Sequence, residues 1–399
     1  MTTNKAIRGW GERCARRQTG HPRGGYATTL FNCVIATALL ITSGASTGRS
    51  APAGETTGQT DQSRWWRGYL NAARHVRLPD GRRLTLFCEG RGAPLVILDV
   101  GLGGGAWGWA RVQNAMARTT RVCSYDRAGY ADSDPASTPR TFDAMAADLN
   151  ALVIAAHLPE PYVMVGQSLG GPIVGTFAQQ HPDKVAGLVF VDPSVGDQDR
   201  RMSAISSPLE DMAARLADAR KCAAAADAGA LRPGSAIEKS CVHSARPGFV
   251  IPAFAERRFD GWQHGPVLRA KLAETQGVDF ATLKWPRNAR LDVPLIVLTA
   301  TETFAGEPKE KALWALWKSM HDEVAHISPT GANCVIPGAT HSMMFSRPDA
   351  VISAVTATVA AVRSRSRAAL DCDTIAAPRL SSAVTRRDDR RYRSRSRVS

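Results

Sequence analysis

An α/β fold, a mostly parallel sheet flanked by helices, is predicted from three observations. First, six or seven runs of strand length recur along the chain: RLTLFCE, PLVILDV, RVCSYD, YVMVG, AGLVFVD, PLIVLTA and CVIPGA. They are uniformly apolar rather than alternating, as strands covered on both faces require. Second, helical patterns lie between them. Over residues 141–156, Phe142, Met145, Leu149, Leu152, Val153 and Ala156 share one helix face behind Thr141, a capping residue, and a second helix from Ile173 to Gln180 stops at His181-Pro182. Third, residues 194–285 carry no strand pattern but do carry Ala/Leu/Arg/Glu-rich stretches such as PLEDMAARLADARKCAAAADAG. About ninety residues are too many for a simple connection, so they predict a helical cap inserted between two strands.

The elements before that core have other signatures. Arg8, Arg13, Arg16, Arg17 and Arg23 precede an apolar run, Leu30 to Ile41, which ends near Ser43 and Ala45. That run is shorter than the roughly 20 residues that span a bilayer, and the small-x-small pair suits a cleavage site. Residues 1–45 are therefore read as a signal peptide, with an uncleaved N-terminal anchor as the alternative. The protein is expected to be secreted or periplasmic, and tethered to a membrane, facing outside, only if the segment stays. Residues 46–63 are small and polar and read as a linker. Residues 64–362 form the folded domain. Residues 363–399, with RSRSR twice, read as a disordered basic tail.

Composition agrees with a globular domain, at 44% apolar and 22% charged residues. The net charge of +14 would suggest a polyanion partner if it were spread over the fold. Residues 1–45 hold six Lys/Arg against one Glu, and residues 363–399 hold eleven Arg against four Asp, so +12 of it sits at the two ends. The near-neutral middle gives no electrostatic reason to expect nucleic acid. Beyond the leader six cysteines remain, Cys88, Cys123, Cys222, Cys241, Cys334 and Cys372. An even number suits an oxidising compartment, and Cys222 with Cys241, close in sequence within one segment, is the predicted disulfide.

The chemistry is concentrated in a few residues. Ser168 lies in Gly166-Gln167-Ser168-Leu169-Gly170, directly after the strand-like YVMV and before a helix in which Pro172 fits the first turn. Such a strand-to-helix turn needs glycines because neighbouring backbone approaches closely, and it lifts the hydroxyl above the sheet edge. A hydroxyl becomes nucleophilic only when a base takes its proton and a third group holds the base. His341, in PGATHSMMF after the last strand-like run, is the candidate base. Asp192, at the end of AGLVFVDP, and Glu302, after PLIVLTAT, both remain candidates for the acid, with Asp192 favoured as a strand-end carboxylate. Backbone N–H groups of Leu102 and Leu169 are the expected oxyanion donors. The loop GLGGGAWGW lacks the Lys-Ser/Thr ending and the spaced glycines of a phosphate loop. Trp107, Trp109, Met343, Met344 and Phe345 flank the site, and Trp107 and Met343 are the residues expected in a substrate pocket.

In this order, LDVGLGGGAWGW, RVCSYDRAGYADSDP, VGQSLGGP, AGLVFVDPS and GATHSMMF resemble the α/β-hydrolase superfamily over roughly residues 75 to 362. The resemblance implies an eight-stranded sheet, a nucleophile elbow at Ser168, a base at His341 and a cap after the sixth strand. It also implies action on an ester or related small acyl compound, through an acyl-enzyme and with water as co-substrate, without cofactor or metal. Members that open epoxides or remove halide carry Asp at the elbow, where this chain has Ser168. Three positions depart from the commonest pattern: Val100-Gly101 replaces His-Gly, Gln167 stands where His is frequent, and Thr301-Glu302-Thr303 occupies the usual site of the acid. An exported serine hydrolase, a carboxylic ester hydrolase in type, is the function expected. The alternative is a catalytically silent ligand-binding protein on the same fold.

Overall fold

A computed structural model describes residues 57–205, 208–242, 251–283, 285–286, 289–307 and 309–377. The expected leader, residues 1–45, lies outside the described residues. Helix α1 (Thr57–Ala72) comes first, and its Trp65, Trp66 and Tyr69 are buried, Trp65 and Tyr69 against Phe87 and Trp66 against Phe259. The linker read as 46–63 is thus too long at its C-terminal end: three large aromatics on one short stretch gain about 1.5–3 kcal/mol each from burial, enough to order the helix that carries them.

Strands β1 (Arg74–Arg77), β2 (Arg83–Glu89) and β3 (Leu95–Asp99) follow. Then come α2 (Ala110–Met116), β4 (Val122–Asp126), α3 (Phe142–Ala155), β5 (Tyr162–Gln167), α4 (Gly170–Gln180) and β6 (Val185–Val191). The side chain of Thr141 accepts a hydrogen bond from the Ala144 amide and caps α3. Between β6 and β7 (Leu295–Ala300) the chain forms α5 (Gln198–Ser203), α6 (Pro208–Asp227), α7 (Ala236–Cys241), α8 (Ala253–Gln263) and α9 (Pro266–Gly277). It ends with α10 (Glu310–Ala325), β8 (Ala332–Ile336), α11 (Met343–Ser346), α12 (Pro348–Ser364) and α13 (Cys372–Ala376).

The eight strands are ordered β1-β2-β4-β3-β5-β6-β7-β8; β2 is antiparallel to both β1 and β4, and all other pairs are parallel. Every residue of β3, β4, β5 and β7 is buried. Successive side chains go to opposite faces. Ile97, Met164, Phe190 and Val297 pack with α3, α4 and α10, while Val96, Leu98, Val165, Val191 and Leu298 pack with α1, α2 and α12. Strand β3 pairs with β4 on one side and β5 on the other, so the chain reverses its direction of travel across the sheet there. Loops leaving the carboxyl ends of β3 and β5 diverge at such a point and leave a crevice for a ligand.

Three disulfides cross-link these elements: Cys222–Cys241 between α6 and α7, Cys88–Cys123 between residues directly opposite on β2 and β4, and Cys334–Cys372 between β8 and α13. The last one corrects the expectation of disorder from residue 363. Helix α12 runs to Ser364, and α13 is tied down by Cys372 and the buried Ile375. The second RSRSR lies outside the described residues.

Candidate active site

Ser168 stands between β5 and α4 with φ +51°, a left-handed conformation that non-glycine residues rarely adopt. Its glycine neighbours make this turn possible. A Cβ on Gly166 would come within 2.4 Å of the Gly170 carbonyl oxygen, and one on Gly170 within 2.5 Å of the Asp99 carbonyl oxygen. The Ser168 amide donates to the Val191 carbonyl (3.2 Å), and its own carbonyl accepts from Gly171 (2.9 Å) and Ser194 (3.1 Å). The strained residue is thereby fixed on both sides.

His341 follows β8. Its Nδ1 lies 2.7 Å from Asp192 Oδ2, and its Nε2 lies 2.9 Å from Ser168 Oγ. An ionised carboxylate only accepts, so the proton sits on Nδ1 and Nε2 is left to accept from the hydroxyl. Asp192 is fully buried at the end of β6, with φ +45°. Its Oδ1 accepts from the Ala300 amide (3.0 Å) and Trp317 Nε1 (3.0 Å), and its Oδ2 also accepts from Thr303 Oγ1 (2.6 Å). Burial opposes ionisation of this group, but the His341 hydrogen bond and charge, His321 and Thr303 outweigh it and hold the carboxyl below its usual value. Glu302 is exposed, and it joins the local structure through its backbone, its amide donating to the Ala339 carbonyl and its carbonyl accepting from the Ala305 amide. Its neighbour Thr303 reaches the triad instead.

The loop after β3 is held almost atom by atom. The Gly101 amide donates to Gln167 Oε1 (3.0 Å) and the Gly103 amide to Tyr130 Oη (3.1 Å), while buried Arg127 donates to the carbonyls of Val100 and Gly101. The Gly104 amide turns back to the Gly101 carbonyl (3.2 Å). Among the described residues the amides of Leu102 and Leu169 hold no hydrogen bond, and both residues line the cavity that contains Ser168 and His341. Their amides are thus free to donate into the cavity.

That cavity measures about 460 Å³. Trp107, Met344 and Phe345 line it, and Lys271, Thr275 and Val278 of α9 and its C-terminal end face them. Met343, an expected pocket residue, does not line it: Met343, Met344 and Phe345 all belong to the buried cluster on that face of the sheet, and only Met344 and Phe345 reach the cavity. Trp109 is likewise core. A larger cavity of about 640 Å³ beside Asp143, Gln180 and Asp279 contains none of the triad. Among the described residues no group of three or more His, Cys, Asp or Glu is placed to hold a metal ion.

Sequence reasoning missed several supporting groups. Gln167 bridges the loop after β3 and the loop after β8, accepting from Gly101 while its Nε2 donates to the His341 carbonyl (3.1 Å). His321 of α10 is buried, its Nε2 donates to the Pro193 carbonyl (2.9 Å) beside Asp192, and burial lowers its pKa. Arg127 reaches Asp99 (2.6 Å) and Glu274 of α9 (2.7 and 2.9 Å), and Tyr130 Oη also donates to Glu274 (2.7 Å). Gln167 was visible as a departure from a familiar pattern. The others depend on contacts between distant segments.

The family model described as the alpha/beta hydrolase fold matches residues 94–221. A pimeloyl-[acyl-carrier protein] methyl ester esterase of Chromobacterium violaceum is 44% identical over 116 residues, 28% of this chain and 42% of that protein. The chain thus spans less than half the length of the curated relatives it matches. An esterase structure from Thermogutta terrifontis aligns with TM-score 0.50 at 20% identity, covering 73% of this chain and 98% of that one. A Vigna radiata epoxide hydrolase mutant aligns with TM-score 0.53 at 16% identity, covering 72% and 98%. At such identities the two structures speak to the fold alone.

Proposed function

The chain belongs to the α/β-hydrolase superfamily, and we propose that within it this protein is a serine hydrolase cleaving a small ester or related acyl compound through an acyl-enzyme. The observation that carries the reading is the unbroken hydrogen-bonded line from Asp192 through His341 to Ser168 at the mouth of a cavity. Ser168 Oγ attacks the carbonyl carbon as its proton passes to His341 Nε2, and the imidazolium so formed is stabilised by Asp192. The oxyanion meets the Leu102 and Leu169 N–H groups. Collapse breaks the bond to the alcohol, which leaves with the proton from His341. Water then repeats the sequence on the acyl-enzyme, with His341 as base and Ser168 as leaving group.

The esterase name of the Chromobacterium violaceum relative is consistent with this reaction. The likeness to an epoxide hydrolase does not extend to its chemistry in this reading, since that reaction needs a carboxylate nucleophile where this chain has Ser168. Helices α5–α9 serve as a cap that selects the substrate. Three disulfides favour an oxidising compartment, in keeping with the basic, then apolar, N-terminal sequence, and no described helix is long and apolar enough to cross a membrane. A fluorophosphonate probe is expected to label the purified protein and to spare Ser168→Ala, which loses about 10⁵-fold in kcat/KM on 4-nitrophenyl butyrate. A folded wild type that neither takes the probe nor turns over the ester would end the proposal.

A further inference from the structure

We infer that the substrate carries a carboxylate, recognised by Lys271, close to the bond that is cleaved. This rests on the serine-hydrolase reading and adds a substrate class to it. The cavity that holds Ser168 and His341 is bounded on its far wall by α9, and the stem of Lys271 lies against the oxyanion loop: its Cδ is 3.5 Å and its Cε 4.0 Å from where a Cβ on Gly103 would stand. Lys271 is half-buried, and no described carboxylate forms an ion pair with it. An ammonium group that lines the cavity without an ion-pair partner among the described residues gains from an anion supplied by the ligand.

The position is built rather than incidental. Glu274, one helical turn on from Lys271, is fully buried and receives hydrogen bonds from Arg127 and Tyr130. The same Arg127 holds the carbonyls of Val100 and Gly101. The helix that presents Lys271 and the loop that presents the Leu102 amide are therefore fixed to one guanidinium. Their spacing is set before substrate arrives. The cavity has one further cation, Arg215 of α6, and one carboxylate, Asp218, three residues along the same helix. The net lining charge of the cavity is thus close to that of one cation, which matches a carboxylate monoanion better than a phosphate dianion.

Two anionic esters locate the charge on either side of the scissile bond: the 4-nitrophenyl monoester of glutaric acid, and the butyryl ester of 4-hydroxybenzoate. Their neutral counterparts are 4-nitrophenyl butyrate and phenyl butyrate. At low salt at least one anionic ester is expected to exceed its counterpart in kcat/KM by roughly tenfold, the scale of one charge-assisted hydrogen bond. That ratio falls at least fivefold in Lys271→Met and returns in Lys271→Arg. A general fault in folding lowers both substrates and leaves the ratio alone. Binding of the same esters to Ser168→Ala reads the preference without turnover, so loss of the hydrolase reading would not mask it. Equal kcat/KM and equal Kd for anionic and neutral esters, or a ratio indifferent to Lys271→Met, overturns the inference while leaving ester hydrolysis intact.

Discussion

On one side of the cavity, Ser168 and Asp192 leave the carboxyl ends of buried strands, His341 lies in the loop after β8, and each is held by hydrogen bonds from separate elements. On the other side Lys271, Thr275 and Val278 depend on α9, part of an insertion whose own buried cluster gathers around Cys222, Cys241, Val267 and Leu268. That insertion is joined to the rest of the fold by apolar packing, Phe259 and Trp262 against Trp66, Tyr69 and Trp107 and Val267 and Leu268 in one cluster with Tyr130, and by polar ties from Arg127 to Glu274 and from Arg258 and Trp262 to Asp132. Ser168, Asp192 and His341 are fixed by strand ends of one sheet, whereas the wall of α9 that faces them is tied to the loop after β3 through the bonds of Arg127 and Tyr130 to Glu274. Substitutions on the two sides should differ in kind: reaction rate on the first, selectivity and local stability on the second.

The strongest test of the rigid side is Asp192→Asn. Its amide would donate where the carboxylate accepts, turning His341 to the wrong tautomer, and kcat is expected to fall about 10⁴-fold with the melting temperature little changed. Glu302→Gln, from an exposed loop, should stay within about twofold of wild type. A large loss in Glu302→Gln with Asp192→Asn close to wild type would return the acid's role to Glu302.

The same contrast governs what could be read from sequence. Strands β3 to β7 are legible because both faces are buried and the runs are largely apolar, and β2 and β8 because each keeps buried apolar residues. Strand β1 is not: of Arg74 to Arg77 only Val76 is buried, an edge strand with one apolar residue. Ser168 and His341 stand out because local chemistry marks them, by flanking glycines and by position after the last strand. The choice of Asp192 over Glu302 is a matter of reach across the sheet, which depends on α10 bringing Trp317 and on Thr303 turning inward. Lys271 and Glu274 carry no local mark. Their role arises only when α9 folds back over a loop some 170 residues earlier in the chain, and such pairings leave no periodicity to read.

Glu274→Gln tests the weaker side. It removes one of the two carboxylates around the buried Arg127 guanidinium and leaves Asp99 as its ion-pair partner, at a cost of about 2 to 3 kcal/mol in unfolding free energy. Because Arg127 also holds the oxyanion loop, kcat/KM should fall about tenfold to a hundredfold, with the anionic-ester preference reduced along with it. Urea unfolding and the ester pairs measure the two effects. Loss of stability with rate and preference unchanged would mean that α9 is held by its apolar contacts and that the tie does not set the cavity's spacing.

The smallest expected effect lies behind the cavity, at Asp126. It accepts from the Ala106 amide (2.8 Å), at the start of the turn that carries Trp107, and from Tyr69 of α1. Burial pushes its carboxyl up to about 7, against the hydrogen bonds from Tyr69 and Ala106 that favour the ion. In the unfolded chain it titrates at about 4. Between those values the folded state keeps a proton that the unfolded state has lost, so stability falls as pH rises from about 4 to 7 and levels off above. Asp192 has the opposite sign: its carboxyl is held low, and its contribution is lost only as pH drops below the ordinary carboxylate range. The two windows do not overlap. Glu89, Asp99 and Asp199 are shifted upward as well, so the informative quantity is the difference between wild type and Asp126→Asn. Wild type should lose about 2 kcal/mol more than Asp126→Asn between pH 5 and pH 8 in urea unfolding. Parallel pH profiles for the two proteins would place the titrating carboxyl elsewhere and leave α1 joined to the Trp107 turn by a bond that pH does not weaken.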